Sequence, residues 1–91
     1  MYNMFKLWGK IFKDNRLIDD FVIADSSEDT RTHKIFRAID ELCLKFDIEH
    51  PIWLDSNKAD FIRFDKVRFT SDNFIGSYPF DYFEIHVIEE D

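Results

Sequence analysis

The sequence is poor in the residues that most often betray a chemistry. Its 91 residues include one cysteine, two glycines and two prolines. A single cysteine, Cys43, excludes an intramolecular disulfide and any cysteine-built metal set, and it fits a reducing interior. Cys43 has no histidine beside it in the sequence, so it reads as a buried structural thiol rather than a nucleophile. Gly9 and Gly76 alone cannot build a glycine-rich phosphate loop. There is no G-x-S-x-G elbow. No apolar run approaches the about 20 residues needed to span a bilayer, and no secretory signal is expected. Base is also scarce. Twelve Lys and Arg against nineteen Asp and Glu give a net charge of −7, which argues against general nucleic-acid binding because phosphate contacts need cations. The simplest use of that charge is solubility.

Apolar residues, by contrast, are abundant. The chain is 45% hydrophobic and 18% aromatic, with eleven Phe, which is too rich for disorder despite 34% charged residues. At this length residues 1–91 form one small domain with a modest core.

The segment from Thr30 to Phe46 reads as the one long helix. Ile35, Phe36, Ile39, Leu42, Cys43 and Phe46 recur at the spacing of a single helix face. Ser26 or Ser27 is placed to cap it, with Glu28 and Asp29 at the positive end of its dipole.

Residues 4 to 13 fit two patterns. As a helix they form a basic amphipathic surface of the membrane-binding type. As a strand they pair with Leu17 to Ala24 across a tight turn at Asp14-Asn15, two residues that tolerate a positive φ. The second reading is preferred, because the β-rich Leu17 to Ala24 needs a partner. A two-residue loop sets Ile11 against Ile18, Lys10 against Asp19, Trp8 against Phe21 and Leu7 against Val22. Phe5, Leu7, Ile11, Ile18 and Val22 then face the helix. Trp8, Phe12, Leu17, Phe21 and Ile23 are left on the other side, interleaved with Lys6 and Lys10. That mixed face is the candidate interaction site: Lys6, Trp8, Lys10, Phe12, Leu17 and Phe21.

After the helix, Pro51 imposes an extended approach and Ile52-Trp53-Leu54 reads as a short strand. Asp55-Ser56-Asn57 opens a short helix over Lys58 to Phe64, with Phe61, Ile62 and Phe64 packing inward. Lys66 to Thr70 and Tyr82 to Ile88 alternate as half-buried strands, separated by a loop. The order is β-β-α-β-(short α)-β-β, an α+β fold with one main helix on one face of a β-grasp-like sheet. Other strand orders fit the sequence equally well.

Asp55-x-Asn57-x-x-Asp60 has the start of a calcium loop and fails as one. Asp60 stands where the glycine is required, and Lys66 where a bidentate Glu is required. His33, His50 and His86 are isolated in sequence. No cofactor, metal or catalytic set is expected.

The stretches L-W-G-K-I-F-K-D-N-R-L-I, T-R-T-H-K-I-F-R-A-I, P-I-W-L-D-S-N and Y-F-E-I-H-V-I-E-E-D together resemble a family of short uncharacterised acidic proteins common in anaerobic Gram-positive bacteria. The resemblance covers Lys6 to Asp91 and carries no known activity, cofactor or catalytic residue. It implies a cytoplasmic bacterial protein. The expected function is a non-enzymatic protein-interaction module that self-associates through the hairpin face. The alternatives are an acidic inhibitor imitating nucleic-acid charge and a nucleic-acid binder that stacks bases on the basic-aromatic stretch.

Overall fold

The structure, a computed structural model, describes residues 4–90. Strands β1 (Phe5–Lys13) and β2 (Arg16–Asp25) form a hairpin. Helix α1 (Arg31–Phe46) follows, then α2 (Asp55–Phe64), β3 (Lys66–Phe69), one turn of 3-10 helix (Ser71–Asn73) and β4 (Tyr82–Glu89). The four strands form one sheet in the order β2-β1-β4-β3, and every ladder is antiparallel. A hairpin crossed by a helix is present. The chain then passes through a second helix before β4 returns between β1 and β3.

The strand expected at Ile52–Leu54 is extended backbone outside the sheet. Its Ile52 N–H donates to the Asn73 carbonyl, and the Asn73 side chain donates back to the Ile52 carbonyl. With its backbone groups met there, the segment needs no strand partner. The Trp53 ring instead packs edge-on against Phe61 and Phe69.

The turn at Asp14-Asn15 has positive φ at both residues (53° and 63°), the type I′ geometry expected there. The register beyond it differs from the simple two-residue expectation. Phe12 faces Leu17, but Ile11 faces Asp19, so Ile18 is an extra residue in a β-bulge. From there every β2 side chain exchanges faces. Lys10 meets Asp20 rather than Asp19, Trp8 meets Val22, and Phe21 lies opposite Gly9. The exchange puts Ile23 into the core at 6% exposure and leaves Val22 half-exposed. Burying the larger aliphatic side chain favours that choice.

Both helices lie on the face of the sheet that carries Phe5, Leu7, Gly9 and Ile11. Gly9 gives α1 its close approach: a Cβ there would stand 2.6 Å from Leu42 Cδ2. The α1 stripe is rotated from the expected one. Lys34, Ile35, Ala38, Ile39, Leu42 and Cys43 are buried, while Phe36 is 51% exposed and Phe46 partly buried. Thr30, rather than Ser26 or Ser27, is the N-cap, and its hydroxyl accepts from the His33 N–H. Asp29 instead joins Asp25 in holding Arg37, which ties the end of β2 to α1. In α2 only Phe61 packs inward among its apolar residues. Ile62 and Phe64 are exposed. No helix among the described residues is long and apolar enough to cross a membrane.

Candidate functional site

With both helices on one side, the other side of the sheet has no covering layer among the described residues. The pleat sends alternate side chains there, and the observed registers stack them in rows across the strands. One row runs Asp20, Lys10, Glu84, Arg68 from β2 to β3, so charge alternates in sign across the whole sheet. The next row runs Val22, Trp8, His86, Lys66, and the row on the other side joins Leu17, Phe12 and Tyr82.

The charged row is closely paired. Glu84 Oε2 lies 2.9 Å from Lys10 Nζ, and Glu84 Oε1 lies 3.0 Å from Arg68 Nε. Glu84 is only 4% exposed although it points away from the helices, because these neighbours cover it. Burial alone would push its carboxyl pKa up. The hydrogen bonds and charges of Lys10 and Arg68 outweigh that and hold it below the usual glutamate value. Arg68 gains from the same contact and is pushed further up.

The aromatic rings are engaged by this row and by each other. Lys10 Nζ sits 3.8 Å from the Trp8 ring centre, and the Arg68 guanidinium 4.7 Å from that of Tyr82. Phe12 and Tyr82 stack with centres 4.9 Å apart. The Trp8 indole N–H donates to Asp20 at 2.8 Å. Lys6 pairs with Glu89 at 3.6 Å. His86 is partly buried, and its Nδ1 has no hydrogen-bond partner. Burial first, then the charges of Lys10 and Lys66, lowers its pKa, so the ring is neutral at pH 7.

The structure therefore brings Lys6, Trp8, Lys10, Phe12 and Leu17 of the expected site onto one face and adds Val22, Tyr82 and the Glu84 ion pairs. It removes Phe21 from that face. Phe21 lies opposite Gly9 on the helix side, with Lys45 Nζ from α1 4.6 Å from its ring centre. The cause is the bulge at Ile18. Glu84 was not legible as a site residue, because its partners lie 74 and 16 positions away and only the sheet order joins them. The rings also bear on base stacking. Trp8 already has Lys10 over its ring and Tyr82 has both Arg68 and Phe12 against its own, while Lys6, Lys10 and Arg68 each meet a carboxylate.

A second surface lies on the helix side. Arg31, Thr32, Ile35 and Phe36 of α1, Trp53, and Lys58, Phe61 and Ile62 of α2 line a groove of about 520 Å³. Its walls include Phe36 and Ile62, both expected to pack inward and both exposed. Helical periodicity marks a residue near the edge of an apolar stripe without deciding whether a neighbour covers it.

Among the described residues no group of three or more His, Cys, Asp or Glu is placed to hold a metal ion. His33 pairs with Asp29, and His50 with Asp40, each at the surface. No family model matches the chain, and neither a curated protein nor a solved structure matches it, so the open sheet face and the helix groove have to be read from their own geometry.

Proposed function

We propose that this chain is a cytoplasmic, non-enzymatic protein-interaction module that self-associates through the open face of its sheet. The observation that carries the reading is the pairing of most of that face's cations. Glu84 and Glu89 hold Lys10, Arg68 and Lys6 and leave only Lys66 of the three rows without an ion pair among the described residues, while Leu17 and Val22 remain 45% and 40% exposed beside the half-buried Trp8, Phe12 and Tyr82 rings. Aromatic residues flanked by satisfied charges suit a protein contact, in which unpaired charge is costly. A phosphate backbone requires several cations that are still free, and Lys66 is the one such cation in these rows. The sheet edges are less suited to self-pairing. β2 is bulged at Ile18 and carries adjacent carboxylates at Asp19 and Asp20, and β3 at the other edge is only 4 residues long, devices that blunt an exposed edge. Association is thereby directed to the face.

The test is solution mass by light scattering over a concentration series, for the parent chain and for Leu17→Lys with Val22→Lys. Both positions are exposed, so the double variant keeps its circular dichroism and melting curve. A parent dimer that the variant dissociates supports the reading. A parent that is monomeric at every concentration refutes self-association.

A further inference from the structure

We propose that the groove between α1 and α2 is a binding site for an amphiphilic organic anion, an acyl or aryl chain bearing one acidic headgroup. Its volume, about 520 Å³, falls within the range of small-molecule clefts. Ile35, Trp53 and Phe61 are its apolar interior, and Phe36 and Ile62 stand beside them at 51% and 80% exposure. That is apolar area which no described part of the chain covers.

The charge of the lining selects the headgroup. The chain has nineteen carboxylate side chains and twelve cations, yet the groove is lined by two cations, Arg31 and Lys58, and by no carboxylate. The two cations are not equivalent. Arg31 is held by Asp65 and Glu90, each at 2.8 Å. Lys58 forms no ion pair with any described carboxylate. Lys58 is therefore the group assigned to the acidic head, with the apolar body against Trp53 and Phe61.

The groove lies across the sheet from the open face, so its ligand and the self-association proposed above are tested independently.

Trp53 lies in the groove and Trp8 on the far side of the sheet, so Trp8→Phe leaves a single local reporter. The probes are dodecanoate and dodecyltrimethylammonium, each titrated below its micelle concentration. Dodecanoate is expected to change Trp53 emission saturably and to bind roughly tenfold more tightly than the cation, the value of one charge-assisted contact. Lys58→Glu should remove that preference, and Ile62→Glu should weaken both ligands. Displacement of anilinonaphthalenesulfonate from the parent chain by dodecanoate, with Lys58→Glu as control, reads the same site without the Trp8 substitution. Equal affinity for the two headgroups, no saturable response to dodecanoate, or unchanged binding in Lys58→Glu and Ile62→Glu would overturn the assignment.

Discussion

Replacing Glu84 by Gln keeps the shape of the side chain and removes its charge. In the parent, one carboxylate satisfies two cations: Lys10, whose side chain is 12% exposed, and Arg68, at 59%. The two will not respond equally. Arg68 can turn toward solvent, so its loss is small, as for exposed pairs in general. Lys10 is hemmed in by the Trp8 ring and cannot rehydrate without moving. Losing the charge on a hydrogen bond of this kind costs about 1.5–3 kcal/mol, less than a fully buried pair because Gln still offers an acceptor. At roughly 4–8 °C per kcal/mol for a domain of this size, about 2 kcal/mol lowers Tm by about 8–16 °C.

The assay is thermal and urea unfolding followed by circular dichroism, at pH 7 and again in acid. The Glu84 pKa is depressed in the folded state. Its stabilisation is therefore complete above the unfolded-state value and is lost as pH falls through the lower folded value. Glu84→Gln should show its full deficit at pH 7 and converge on the parent in acid. Replacing the pair by apolar groups, Lys10→Met with Glu84→Leu, should recover much of the loss, because neither charge is then stranded. A Glu84→Gln variant within about 0.5 kcal/mol of the parent at pH 7, the level of an ordinary surface change, would refute the argument.

Three further outcomes are expected. Gly9→Ala forces a Cβ to within 2.7 Å of both Leu42 methyl carbons, and Leu42 is fully buried, so the variant should lose about 1–3 kcal/mol in urea melts; adding Leu42→Val should restore part of it, and an additive double variant would count against the contact. Asp25 and Asp29 each have their pKa lowered from 3.8 to about 2, Asp25 chiefly by its hydrogen bond from Arg37 and Asp29 chiefly by that from His33. The stability they confer is intact above pH 3.8 and fades toward pH 2, so Arg37→Met should flatten the acid limb of a stability–pH curve. The Cys43 thiol is 3% exposed and is pushed up to about 11 by burial and then by the charge of Asp40, so a thiol reagent at pH 8 should label it only as fast as the chain unfolds.

The parts of the fold legible in the sequence are those set by local pattern. The Asp14-Asn15 turn, the long helix ending at Phe46 and the alternation of Tyr82 to Ile88 all follow from dihedral preference and periodicity over a few residues. Those signals do not reach the pairing of distant strands. β2 is apolar on both parities, with Ile18 and Val22 on one and Phe21 and Ile23 on the other. Neither register is excluded by pattern, and only the packing of Ile23 beneath α1 selects the bulged one. The same is true of the site. Trp8, Lys6, Lys10, Phe12 and Leu17 share a face because a strand alternates, which the sequence contains. Phe21 leaves that face because of the bulge at Ile18, and Glu84 and Tyr82 join it because β4 returns between β1 and β3. Strand order is set by the most favourable burial and charge pairing of the whole chain, and it exists only once that chain has folded.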